Sequence, residues 1–135
     1  MTQEEKELLL KDICARLPYG VHVEISWEYS KTDVYTSLEY YEFPNIDSLL
    51  NIFWDEKCIS IKPYLRPMSS MTNNEMEDWY RQSKVDYDCE FKPEPTLSLE
   101  HCHLSIDWLN RYGFDYRGLI DKGVALEAPE NMYVL

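Results

Sequence analysis

The chain has 135 residues, of which 44% are hydrophobic, 14% aromatic and 28% charged, a composition that excludes a disordered or low-complexity protein and at this length favours a single domain over residues 1–135. Its 25 acidic and 13 basic residues give a formal net charge of −12. Such an acidic protein binds nucleic acids and anionic membranes poorly, because phosphate binding relies on Lys and Arg, and no apolar run approaches the roughly 18–20 residues of a membrane span.

A helix is the first predicted element, over residues 2–17. Thr2 and Glu5 have the spacing of a capping box, in which each side chain bonds the backbone of the other residue. Apolar residues then recur at helical spacing, and Pro18 and Gly20 provide the stop signal.

A β-hairpin follows the helix. Residues 21–29 alternate strictly between apolar and polar side chains, which predicts a half-buried strand. A turn at residues 30–33 leads to its antiparallel partner over residues 34–43. Two further short strands are predicted at Ile52–Trp54 and at residues 58–61.

The second half of the chain predicts helices joined by irregular segments. Residues 62–71 contain two prolines and read as an irregular link. A helix follows over residues 73–84, and Thr72 and Glu75 have the spacing of a second capping box. An acidic, Pro-containing connector over residues 85–96 precedes another helix that ends near residue 112, and short turns with one last strand complete residues 114–129. The fold class is therefore α+β, with a small antiparallel sheet of three to five strands covered by two or three helices.

The start of the chain and its cysteines bear on the compartment. The segment Met-Thr-Gln-Glu-Glu-Lys-Glu has no basic start followed by an apolar stretch, so we expect a cytoplasmic protein. The four cysteines are widely spaced and form no C-x-x-C pair, which predicts buried thiols rather than a disulfide framework.

His101-Cys102-His103 is the strongest candidate for metal chemistry. On a helix, residues 101 and 103 lie about 200° apart at roughly 100° per residue, so they cannot share one ion. Only four glycines are present, and none belongs to a phosphate-binding loop. The sequence accordingly predicts no catalytic residue, no metal site and no cofactor.

Acidic residues are concentrated on the second predicted helix, over residues 73–84, and the connector after it. Clustered in space, they would mimic a phosphate backbone and occupy a basic groove of a partner; spread out, they would be an ordinary solvated surface. The predicted acidic surface consists of Glu75, Glu77, Asp78, Asp86, Asp88, Glu90 and Glu94.

Two arginines lie in irregular segments flanked by aromatic residues. Arginines of this kind commonly tie loops together through bidentate contacts with carboxylates or through contacts with carbonyl groups. The alternative is a surface that binds an anionic, nucleotide-like ligand. That candidate ligand site consists of Tyr64, Arg66, Ser69, Ser70, Tyr116 and Arg117.

Three segments carry a resemblance to a known family. These are KPYLRPMSSMT at residues 62–72, FDYRGLI followed by GVALEAPE between residues 114 and 130, and the Leu-Pro-Tyr-Gly-Val opening at residues 17–21. They resemble small uncharacterised proteins encoded by phages, prophages and mobile elements of gut anaerobic bacteria. The resemblance implies an accessory role in a bacterial host and supplies no catalytic residue.

Three functions follow from these observations. The first is a non-enzymatic protein that binds a basic partner protein through an acidic, aromatic-rich surface, since its 11 Tyr and 4 Trp suit an interface. An inhibitor of a host nucleic-acid-binding or defence protein would have this character. The alternatives are a small anionic-ligand-binding domain that uses Arg66 and Arg117, and a homo-oligomeric structural component.

Overall fold

The computed structural model describes residues 2–28, 30–42, 45–82 and 99–133, with residues 99–104 described for their backbone alone. Four helices, four strands and a short 3-10 turn (Met68–Ser70) make up this part of the chain. The helices are α1 (Gln3–Arg16), α2 (Ile46–Phe53), α3 (Asn73–Gln82) and α4 (Leu99–Arg111). The strands are β1 (Val21–Glu28), β2 (Val34–Tyr41), β3 (Cys58–Leu65) and β4 (Leu126–Glu127).

The strands form one sheet in the order β2-β1-β3-β4. β1 pairs antiparallel with β2, as the hairpin pattern predicts, and its other edge pairs antiparallel with β3. β4 pairs parallel with the end of β3, so the sheet is mixed rather than wholly antiparallel. The α+β class is thus confirmed. The β3–β4 pair is parallel because the chain crosses over through α3 and α4 between these two strands, so β4 runs in the same direction as β3.

Local sequence signals define α1 accurately. The hydroxyl of Thr2 accepts a hydrogen bond from the backbone of Glu5 at 3.1 Å, and the Glu5 carboxylate accepts one from the backbone of Thr2 at 2.9 Å. This capping box satisfies two of the amide groups that a helix start leaves unpaired.

The strand predicted at Ile52–Trp54 is wrong, because these residues lie in α2 and the turn that ends it. The buried side chains Leu49 and Phe53 are four residues apart and share one helical face. A run of three apolar residues cannot distinguish a strand from a buried helix, and the longer spacing decides for the helix.

Helices cover one face of the sheet. Val21, Val23 and Ile25 of β1 are completely buried on that face, together with side chains of α1 and α2. A second apolar cluster around Trp108 and Phe114 joins α4 to α3, through Trp79, and to the loop after α4, through Tyr116. The opposite face of β1 carries polar residues that are half-buried or exposed, as the alternation predicts.

A tyrosine from the end of the described chain extends the β1–β3 pairing. Val23 is paired with Pro63, so the next opposing residues are His22 and Tyr64. Between them lies the hydroxyl of Tyr133, which accepts from the amide of His22 at 3.0 Å and donates to the carbonyl of Tyr64 at 2.7 Å. Burial raises the pKa of Tyr133 to about 12, so this hydroxyl keeps its proton at neutral pH.

Candidate functional site

Arg66 and Glu75 form a bidentate ion pair. Both terminal nitrogens of Arg66 donate to the two carboxylate oxygens of Glu75, at 2.6 and 2.8 Å. The guanidinium also lies over the ring of Phe114, 4.1 Å from its centroid. Backbone hydrogen bonds to Gly113 and Asp115 hold Arg66 at the end of β3. The arginine therefore ties three segments of the chain together.

Glu75 reaches this pair from the first turn of α3. Its carboxylate accepts from the amide of Thr72, and its own amide donates to the Thr72 hydroxyl, so the predicted capping box is present. The hydrogen bonds from Arg66 are the main cause that lowers the pKa of Glu75, and the Thr72 amide adds to the effect. Glu75 is consequently a buried, ionised side chain rather than a surface carboxylate.

Arg117 belongs to a second ion network, centred on Asp12. The Asp12 carboxylate, completely buried in α1, accepts from Arg117 at 2.8 Å and from two nitrogens of Arg16 at 2.9 and 3.1 Å. Arg16 also donates to the carbonyl of Phe114. The ring of Tyr116 lies against both guanidinium groups, at 5.3 Å from Arg16 and 4.8 Å from Arg117. This network joins α1 to the loop after α4.

The candidate ligand site is therefore divided between two places. Arg66 and Ser70 line one cleft, whereas Arg117 and Tyr116 do not line it. Both arginines have internal carboxylate partners, which is the loop-tying arrangement considered from the sequence. Three of the four remaining hydroxyls of the candidate site also have partners: Tyr64 donates to Glu24, Ser70 to the carbonyl of Pro67 and Tyr116 to Asn110. Ser69 is exposed.

The cleft beside Arg66 has a volume of about 630 Å³, within the range of ligand sites. It lies between the segment after β3 and the turn after β4. Its charged lining is Arg66 with three carboxylates, Glu75, Glu127 and Glu130. Because Glu75 already neutralises Arg66, the cleft carries net negative charge and disfavours the anionic ligand that the alternative function requires.

Of the seven residues of the predicted acidic surface, three lie among the described residues, and two of these three are buried or half-buried. Glu75 is buried, and Asp78 is half-buried and accepts a hydrogen bond from the indole of Trp108 at 2.8 Å. Glu77 alone of these three is exposed. The other four members, Asp86, Asp88, Glu90 and Glu94, lie outside the described residues.

Two further interpretations concern cysteine and histidine. His101, Cys102 and His103 belong to α4, as predicted, and the structure describes them for their backbone alone. In the part of the chain that is described, no three His, Cys, Asp or Glu side chains converge on a common point where a metal ion would bind. Cys14 and Cys58 are free thiols, and burial raises the pKa of both.

Strand β2 presents an apolar surface that sequence reasoning did not single out. Its side chains Val34, Tyr35, Leu38 and Tyr40 are 64, 58, 59 and 48% exposed. β2 is the last strand on its side of the sheet among the described residues, and the helices bury only Tyr41 at its end. A run of β-forming residues predicts a strand but does not reveal how far its side chains are exposed.

Exposed carboxylates lie at both ends of the hairpin and within β2 itself. Residues 21–42, which form the hairpin, contain five carboxylates and one lysine, Lys31. Four of these carboxylates are exposed, namely Glu28, Asp33, Glu39 and Glu42. We call the exposed apolar side chains of β2 together with these four carboxylates the hairpin surface. It combines aromatic area with negative charge, the two properties expected of a surface for a basic partner.

The chain matches no protein-family model, no curated protein and no solved structure. The resemblance to phage and mobile-element proteins therefore stays a prediction from the three sequence segments. Among the described helices, none has the length and apolar character needed to cross a bilayer.

Proposed function

We propose that this protein acts by binding another protein, and that the hairpin surface is where a basic partner docks. The observation that carries the proposal is the exposure of Val34, Leu38 and Tyr40 on one face of β2 and of Tyr35 on the other, with exposed carboxylates at both ends of the hairpin. Contiguous exposed apolar side chains with a polar rim are characteristic of protein interaction sites.

Charge supports a basic partner over a second copy of the chain. Two copies, each with a formal net charge of −12, would bring the carboxylates of two hairpin surfaces together. Like charges at an interface oppose association, whereas opposite charges accelerate the encounter and suppress wrong partners. The homo-oligomeric alternative is therefore less favoured.

The anionic-ligand alternative is also less favoured. It needs Arg66 and Arg117 free to meet a phosphate or carboxylate, and each is already bonded to a carboxylate of the chain. A ligand at Arg66 would have to displace Glu75, which also caps α3.

The proposal is tested with the partner from a host lysate. Proteins retained at low salt and released at high salt are identified, and the affinity of the purified partner is measured by calorimetry. Glu39→Lys is expected to weaken binding markedly, while Asp121→Lys, an equal charge change at an exposed site outside the hairpin, has a smaller effect. Equal affinities for both variants, or an affinity that does not change with salt, would refute the proposal.

The biological setting belongs to the proposal as well. We infer a cytoplasmic accessory protein of phage or mobile-element type, and its partner would be a basic host protein such as a nucleic-acid-binding or defence protein. The three resembling segments and the acidic composition support this inference.

A further inference from the structure

We propose that the partner binds by strand addition: an extended segment with alternating basic and apolar residues pairs antiparallel with the outer edge of β2. This inference rests on the proposed function, because it describes how the hairpin surface holds its partner. It follows from the backbone register, the faces of β2 and the position of its single charge.

The register identifies which backbone groups of β2 face outward. In an antiparallel pair, opposing residues alternate between those that exchange backbone hydrogen bonds and those that do not. His22 lies opposite Tyr40, but its amide donates to Tyr133, and the amide of Glu28 donates to Lys57 before β3. Even-numbered residues of β1 therefore turn their amides away from β2, and the bonded pairs are the odd-numbered ones.

The even-numbered residues of β2 consequently direct their amides and carbonyls to the free edge. These residues are Val34, Thr36, Leu38 and Tyr40. Within the described part of the chain no strand pairs with them. Natural edge strands commonly carry lysine, proline or a bulge that blocks such pairing, and β2 has none of these. The edge is thus suited to a further strand.

The two faces of β2 specify the side chains of that strand. Val34, Leu38 and Tyr40 lie on the open face of the sheet, so the residues opposite them should be apolar. Glu39, the single charge within β2, lies on the other face beside Tyr35 and Ser37. Residues opposite these positions should be basic, because Glu39 lies on this face and the exposed Asp33 adds negative charge directly before β2.

A synthetic probe tests this pattern directly. The probe is a terminally blocked peptide of eight residues, the length of β2, with alternating Lys and Val. Its controls are a peptide of the same composition with the four lysines in one block, and a peptide with alternating Glu and Val. Calorimetry should show binding of the alternating Lys–Val peptide that is at least about tenfold tighter than that of either control. Equal binding of the block peptide, or no binding of the alternating peptide, would overturn strand addition.

N-methylated peptides locate the bonded amides without altering the protein. In antiparallel addition the valine amides of the probe face β2 and the lysine amides face away. Methylation of the two central valine amides should reduce affinity about tenfold or more, and methylation of the two central lysine amides should have little effect. The reverse pattern, or equal effects, would contradict the antiparallel arrangement.

A pair of variants at Thr36 tests the protein side. Thr36→Pro removes an amide that faces the free edge, a position where an edge strand tolerates proline, and Thr36→Ala removes the same hydroxyl but keeps the amide. Circular dichroism confirms the fold of each variant, and should the proline variant not fold, the N-methylated peptides decide. Loss of binding in Thr36→Pro but not in Thr36→Ala supports strand addition. If Thr36→Pro and Thr36→Ala bind equally well, strand addition is excluded. The proposed function still stands in that case, provided that Glu39→Lys weakens binding of the partner.

Discussion

Asp12→Asn should be among the most damaging single substitutions in this protein. Asp12 is completely buried and accepts three hydrogen bonds from two guanidinium groups. The substitution removes the negative charge and leaves Arg16, which is 1% exposed, as a buried cation without a counter-ion. Loss of one partner from a buried ion pair costs about 3–5 kcal/mol. This is a large fraction of the roughly 5–15 kcal/mol that stabilises an ordinary domain.

Urea unfolding followed by tryptophan fluorescence measures this loss. Asp121→Asn makes the same chemical change at an exposed site and should cost no more than about 0.5 kcal/mol. Because the network around Asp12 is buried, salt screens it little, and the difference between Asp12→Asn and the native protein should persist at high ionic strength.

A double variant separates the loss of a charge from the loss of packing. Asp12→Leu combined with Arg16→Met removes both buried charges and keeps apolar volume, so it should be less destabilised than Asp12→Asn. If Asp12→Asn lies within about 1 kcal/mol of the native protein, the Asp12 network does not join α1 to the C-terminal loop as described.

Three further predictions concern the other buried contacts. The lowered pKa of Glu75 means that its ionised form stabilises the fold above about pH 4.5, and that this stability is lost as pH falls through the folded pKa. The gap in unfolding free energy between the native protein and Glu75→Gln should therefore be full at neutral pH and close in acid. Glu77→Gln, the same chemical change at an exposed site of the same helix, should change the unfolding free energy by no more than about 0.5 kcal/mol at neutral pH. Gly113→Ala should destabilise more than Gly118→Ala in thermal unfolding: both glycines have positive φ, 74° and 70°, but an added Cβ meets the Tyr133 ring at 2.5 Å only at Gly113. Tyr133→Phe leaves an amide and a carbonyl between β1 and β3 unpaired and should cost about 1–3 kcal/mol in urea unfolding; an unchanged midpoint would refute that role.

Local patterns account for what the sequence predicted well. The capping boxes at Thr2 and Thr72 and the alternation in β1 depend on residues within a few positions of one another. The apolar run Ile52–Trp54 is too short to distinguish a strand from a helix, and the end of α2 was therefore wrongly predicted as a strand.

Long-range contacts explain what the sequence did not predict. β4 pairs in parallel with β3, and Tyr133 inserts between His22 and Tyr64; both contacts join segments that are distant in the chain. Glu75 is buried against Arg66 because the fold brings the start of α3 to the end of β3. The sequence predicted that Arg66 and Arg117 tie loops together, but it did not predict that Glu75 and Asp12 are their partners. The hairpin surface was missed because exposure of β2 depends on where the helices pack.

Hydrogen exchange of the backbone amides, measured by NMR with and without the purified basic partner, tests the central claim most directly. The account predicts new protection at the amides of Thr36, Leu38 and Tyr40, while Ser37 and Glu39, already bonded to β1, change little. Protection confined to the cleft beside Arg66, with exchange in β2 unaltered, would contradict it.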